Sequence, residues 1–145
     1  MVKILVKKFG KHIKLPIYKT HGSSGMDLVA YIKKKIIINP SRTAIIPTGI
    51  ALAIPKNYEI QIRPRSGLAA KKSISVLNTP GTIDSDYRGE IKIILINLSK
   101  KSFVVKSGDR VAQMIVCPVV KAKLQEVKKL PKTARGKKGF GSTGK

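Results

Sequence analysis

The apolar positions of this chain come in short runs rich in β-branched residues, and none is long enough for a helix of ordinary length. Ile36 to Ile38, Thr43 to Ile46, Ile50 to Ile54, Glu59 to Arg63, Ile74 to Leu77, Ile91 to Asn97, Phe103 to Val105 and Val111 to Val120 read as strands. Glu59-Ile60-Gln61-Ile62-Arg63 alternates polar with apolar, the period of a strand with one face buried. Between the runs stand turn formers: Asn39-Pro40, Pro47-Thr48-Gly49, Pro55-Lys56-Asn57, Pro80-Gly81 and Ser107-Gly108. Many short strands at this spacing predict an all-β barrel or sandwich, a jelly roll included. Ser66 to Lys72, with Leu68, Ala69 and Ala70, is the one segment that reads as a short helix.

From Pro131 the pattern changes. Residues 132 to 145 hold four glycines and no aliphatic side chain larger than that of Ala134, so they have no face to bury. The expected division is a β-barrel domain over residues 1–130 and a flexible C-terminal arm over 131–145.

At 145 residues the chain is one domain's length and needs no covalent staple. Its single cysteine, Cys117, excludes an internal disulfide and a thiolate zinc cluster, and its place in a core-like strand predicts an inert buried thiol. The first ten residues interleave lysine with aliphatics and lack the unbroken apolar stretch of a secretory signal. No run reaches the length of a membrane span. A cytoplasmic protein with no membrane partner is expected.

Charge changes the picture. Thirty Lys and Arg against seven Asp and Glu leave a formal charge of +23. Such an excess raises the possibility of a basic β-barrel that binds nucleic acid. Yet only six of the thirty are arginine, and the lysines run along the whole chain. Drift in composition with a general attraction for anions is therefore favoured over dedicated nucleic-acid binding. The carboxylates are more informative: Asp84, Asp86 and Glu90 crowd into seven residues, either to pair with cations such as Arg88 or to serve chemistry.

Five blocks carry the chemistry. They are Ser24-Gly25-Met26-Asp27-Leu28; Arg63-Pro64-Arg65-Ser66-Gly67-Leu68-Ala69; Asn78 to Asn97, with Pro80-Gly81-Thr82-Ile83-Asp84-Ser85-Asp86-Tyr87-Arg88-Gly89-Glu90; Gly108-Asp109-Arg110-Val111-Ala112-Gln113-Met114-Ile115; and Arg135 to Gly144. In this order and spacing they resemble the five motifs of the trimeric dUTPases, across roughly residues 20 to 144.

The resemblance implies a jelly-roll-like β-barrel, with water attacking the α-phosphate of dUTP to give dUMP and pyrophosphate. That reaction limits uracil incorporation into DNA and supplies dUMP for dTMP synthesis. It implies Mg2+ on the triphosphate and a homotrimer whose sites draw on several subunits. By position Asp84 is the water-activating base, a role that fits a carboxylate beside a phosphoryl centre. Asn78, Gly81, Thr82 and Ile83 belong to the hairpin that recognises uracil, with the donor and acceptor of an amide side chain suited to the pyrimidine edge. Tyr87 lies beneath the deoxyribose, where it excludes a 2′-hydroxyl. Arg65, Ser66, Gly67 and Gln113 match phosphate contacts, and Asp27 matches the acidic residue that orders the metal's water shell. On the arm, Arg135 reaches the phosphates, Phe140 stacks on uracil, and Gly141, Ser142 and Thr143 hold the γ-phosphate. Lys138 stands where the family usually has glycine, which costs closure energy if that position is left-handed. The rival within the same superfamily, a dCTP deaminase, would want a glutamate base and a different string after the aspartate.

Overall fold

β-Branched residues alternating with polar ones form ten strands and one short helix in a computed structural model whose described residues are 1–139. The strands are β1 (Leu5–Lys8), β2 (Met26–Val29), β3 (Ile36–Ile38), β4 (Thr43–Ala53), β5 (Tyr58–Arg63), β6 (Ile74–Val76), β7 (Gly81–Ile83), β8 (Glu90–Asn97), β9 (Phe103–Val105) and β10 (Arg110–Pro118). They make two four-stranded sheets, ordered β1-β4-β8-β6 and β2-β10-β5-β7, and a β3-β9 ribbon. All pairings are antiparallel. The arrangement is the jelly-roll-like all-β architecture expected.

Period two decides what is inside. On β8, Ile91, Ile93, Leu95 and Asn97 are buried while Lys92 is exposed. On β5, Ile60 and Ile62 point inward, and Arg63 and Gln61 turn to the other face. Aliphatic side chains from both sheets and the ribbon fill the core, including Leu28, Ile38, Ile46, Ile60, Leu95, Val105 and Val111. No aromatic side chain is fully buried among the described residues.

Two segments depart from the pattern reading. Thr43–Ile46 and Ile50–Ile54 are not separate strands, because Pro47-Thr48-Gly49 is a bulge within the single strand β4. The ladder bonds lost there are replaced: Thr48 Oγ1 donates to Ile91 O at 2.7 Å, and the Gly49 N–H donates to Glu90 Oε1 at 2.8 Å. Gly49 adopts φ +70°, a conformation natural to glycine. The three strands that the pattern missed, β1, β2 and β7, carry lysine, aspartate or glycine among four residues or fewer, so no β-branched run marks them. They exist because a neighbouring strand offers a ladder.

The helix α1 spans Ser66–Lys72, as its composition indicated, and ends on Ser73 in the left-handed region, whose N–H returns to Ala69 O. Among its side chains Leu68 packs against the core. Cys117 corrects one expectation: its thiol is half-buried, because β10 turns it outward opposite Glu59 rather than into the core. After Val119, whose N–H binds Asn57 O, residues 120–138 are exposed throughout, and no change in exposure marks the position after 130.

Asn97 is fully buried and ties four groups together. Its Nδ2 donates to Ile38 O at 2.7 Å and to Lys101 O at 2.8 Å, and its Oδ1 accepts from the Ser99 N–H and hydroxyl. Asn97→Ala should lower unfolding free energy by about 2–4 kcal/mol, since it strands buried polar groups. A falling urea midpoint at constant m-value would show it; an unchanged midpoint would mean that water replaces the amide at no cost.

Candidate active site

The fold divides the sequence-nominated residues into two groups. The first gathers where β2, β10 and the start of α1 meet. Register places Asp27 opposite Gln113, and Gln113 opposite Arg63. Asp27 is largely buried, and its carboxylate takes two guanidinium groups: Arg65 Nε on Oδ1 at 2.8 Å and Arg110 Nη1 on Oδ2 at 3.1 Å. This pair clamps Arg65 beside the first turn of α1, where Ser66 and Gly67 are exposed. Gln113 is held by its Nε2, which donates to Pro64 O at 2.9 Å, and a Cβ on Gly25 would come within 2.6 Å of its Oε1. Arg110 is a member that sequence reasoning did not nominate. Its signal was already present as a cation inside the fourth block, next to Asp109 in sequence but paired with Asp27 in space.

The second group lies on the β7 edge. Asn78 begins a tight turn with a cis Thr79–Pro80 peptide and leads into Gly81, which pairs with Ile62. Gly81 is buried against the Asn78 amide: an added Cβ would sit 3.1 Å from Asn78 Nδ2 and 3.4 Å from Ile62 Cβ. Thr82, Ile83, Asp84 and Tyr87, with Glu90 and Lys92, line an open recess of about 180 Å³. Lys92 was not nominated, and Glu90 only as a member of the acidic cluster; both arrive because β8 returns beside the turn.

Asp84 is exposed at the mouth of this recess. The turn after it is closed by backbone, the Tyr87 N–H donating to Asp84 O at 3.2 Å, so the side chain is not needed as a cap. Arg88 does not pair with the acidic cluster; its Nη1 donates to Ser85 O and Tyr87 O. Among the described residues the Asp84 carboxylate has no ion pair and no hydrogen bond. It is left facing solvent. Tyr87 is not a core aromatic: its ring is 44% exposed, and its hydroxyl donates to Glu90 O at 3.1 Å. Gly89 leaves the space that the ring occupies, which a Cβ there would overlap.

The two groups do not meet within one chain. Ile83 pairs with Ile60, and Arg65 follows five residues further along the same segment, so Asp84 and the α1 turn are separated by roughly 16 Å of extended backbone. The arm residue Arg135 donates its Nε to Lys138 O at 3.0 Å, an internal contact. Gly136, at φ +55°, is the left-handed residue of that stretch, and Lys138 is not, so the backbone cost expected of Lys138 does not arise in this conformation. Phe140, Gly141, Ser142 and Thr143 lie outside the described residues. No cluster of three or more His, Cys, Asp or Glu converges among the described residues, and no helix there is long and apolar enough to cross a membrane.

Gly81→Ala tests the packing of the turn. The new methyl must push the Asn78 amide by a few tenths of an ångström, so the expected result is a substrate KM raised about tenfold with kcat altered less, read from steady-state kinetics. An unchanged KM would remove Asn78 from recognition.

Comparison with known proteins places this geometry. The family model described as dUTPase matches residues 11–144. A deoxyuridine 5'-triphosphate nucleotidohydrolase from a Hydrogenobaculum species is 52% identical over 143 residues, covering 99% of each chain. Another, from Caldanaerobacter subterraneus, is 51% identical over 144 residues, covering 99% of this chain and 97% of the other. Among solved structures, a Staphylococcus bacteriophage 80alpha dUTPase with dUPNHPP superposes with a TM-score of 0.83 at 25% identity over 98% of both chains. A mutant dUTPase from phage phi11 of S. aureus, described as coordinating a structural Mg(II) ion, gives 0.80 at 20% identity, covering 90% of this chain and 99% of that one.

Proposed function

This chain belongs to the dUTPase family, and from that premise we propose that Asp84 activates the water with which it hydrolyses dUTP to dUMP and pyrophosphate. The observation that carries the assignment is the Asp84 carboxylate, without a partner among the described residues, on an open recess that Thr82, Ile83 and Tyr87 also line. A water held by Asp84 loses its proton to the carboxylate as its oxygen attacks the α-phosphorus, and pyrophosphate departs from the opposite side. Asn78 and the backbone of Gly81, Thr82 and Ile83 hold the uracil edge. The exposed Tyr87 ring supports the deoxyribose. Limiting uracil incorporation into DNA, supplying dUMP and a cytoplasmic location follow from this reading.

Arg65, Ser66, Gly67 and Gln113 are assigned to the phosphates of a site on a neighbouring subunit. The separation from Asp84 supports this, since three linked phosphates are shorter than the distance between the groups. A homotrimer accounts for two further features. The outward face of β4 and β8 carries Ile45, 59% exposed, in register with Ile94, and residues 120–130 present Val120, Leu124, Val127 and Leu130 to solvent. Apolar side chains so arranged fit burial against another copy. In the trimer residues 131–145 serve as the arm, with Arg135, Phe140, Gly141, Ser142 and Thr143 closing on bound nucleotide.

The donor set is too sparse for a resident metal cage, because Asp27 already holds two arginines. It fits Mg2+ carried in on the triphosphate, where phosphate oxygens and waters suffice and Asp27 meets the water shell. Bound there, the ion neutralises charge on the phosphate chain.

Pyrophosphate release from dUTP, dTTP, dCTP and UTP, with and without Mg2+, tests the reading. Turnover of dUTP alone, stimulated by the ion, is expected. Ammonia release from dCTP would instead favour the deaminase relative.

A further inference from the structure

Lysines that are dispersed in sequence are brought together at one end of the barrel. Lys71 and Lys72 close the last turn of α1, and Lys100 and Lys101 lie on the loop after β8. With Ser73, Ser99, Ser102 and Phe103 they line an open groove of about 560 Å³. Arg42 stands exposed on the adjoining turn, whose backbone exchanges hydrogen bonds with Asn97 through Ser41 and Arg42. The three segments, residues 39–42, 66–73 and 97–103, contain no carboxylate.

The groove is held open by its own framework. Asn97 binds the Lys101 carbonyl and both donors of Ser99; the Ser99 hydroxyl also reaches Lys101 O at 2.8 Å. Ser102 donates to Asn39 Oδ1, and the Leu98 N–H donates to Ser73 O, which ties the loop to the helix end. Like charges are thus kept side by side by a buried polar network, at an electrostatic cost that an anionic partner would relieve.

We propose that this groove binds the sugar–phosphate backbone of duplex nucleic acid without regard to sequence. The cations lining it are lysines, flexible point charges suited to phosphate, with Arg42 beside the groove and not in its lining. Hydroxyl groups between the lysines add donors to phosphate oxygens. Single strands are held by stacking on exposed aromatics, and the one aromatic here, Phe103, is half-buried and packed on the core. The cations come from two separate elements, the end of α1 and the loop after β8, so they can meet successive phosphates of a duplex lying across the groove. The groove's helix lysines stand at the far end of α1 from Ser66, and none of its lining residues is among those assigned to dUTP, so the proposal does not rest on that assignment.

The test is fluorescence anisotropy of a labelled DNA duplex titrated with the intact protein over a range of salt. Lys100→Ala/Lys101→Ala should weaken binding about tenfold and reduce the slope of log affinity against log salt by about 1.8, the loss of two phosphate contacts. The equally discharged Lys3→Ala/Lys56→Ala should leave that slope unchanged, and both variants should turn over dUTP as the wild type does. Equal losses in the two pairs would overturn the proposal, because net charge alone would then explain binding. So would absence of duplex binding at physiological salt, or lysine-dependent binding to phosphatidylserine vesicles in place of the duplex.

Discussion

Asp84→Asn is expected to lower kcat for dUTP by about a hundred- to ten-thousand-fold while leaving nucleotide binding nearly intact. The amide keeps the size of the carboxylate and its place at the recess but cannot accept the proton of the attacking water. Because the wild-type side chain is exposed and makes no hydrogen bond or ion pair among the described residues, its loss should shift stability by no more than about 0.5 kcal/mol. The two readouts are therefore separable: pyrophosphate release falls, whereas the melting transition and the affinity for a non-hydrolysed analogue stay in place. Near-normal turnover would show that another group deprotonates the water. Glu90, across the recess, would be the next candidate, although its carboxylate already holds the Gly49 N–H.

Removal of the residues after Lys132 should leave the barrel folded and the oligomer intact while lowering activity about a hundredfold or more, the scale on which losing alignment acts. Residues 120–138 are exposed on their own chain, so the core loses nothing. Sedimentation should report an unchanged assembly. Mixing this truncated chain with Asp84→Asn chains, under conditions that allow subunit exchange, makes the test sharper. Each variant alone is deficient. If a site takes its base from one chain and its arm from another, mixed trimers restore about a quarter of the activity, the share of sites that draw both intact pieces. A mixture no better than its components would mean that the arm closes on the Asp84 of its own chain, and full activity in the truncated chain would dismiss the arm altogether.

These expectations depend unequally on sequence and on structure. The alternation in β5 and β8 was legible because burial of one sheet face imposes period two on the chain itself. So was α1, where Leu68, Ala69 and Ala70 follow a turn. The motif blocks named Asp84, Tyr87 and Asp27, but not the state of their side chains. Nothing local shows that Arg88 would turn to backbone carbonyls and leave Asp84 and Asp86 without an ion pair among the described residues, or that Tyr87 would stand exposed. Asp27 shows the limit most clearly. Its partners lie 38 and 83 positions away, and only the β2–β10 register and the end of β5 bring both arginines to it.

What the residues determined alone is therefore the class of fold, the short helix and the family chemistry, because each is written in nearby positions whose spacing the backbone geometry fixes. Tertiary structure decided that Pro47 lies in a bulge and not a turn, that three very short segments are strands, and that the thiol of Cys117 faces outward. It also decided that the α1 turn and the Asp84 carboxylate stand apart on one chain, and that four dispersed lysines share a groove. These are consequences of strand pairing between distant segments, and pairing energy is shared by two stretches of chain, so neither stretch carries the signal by itself.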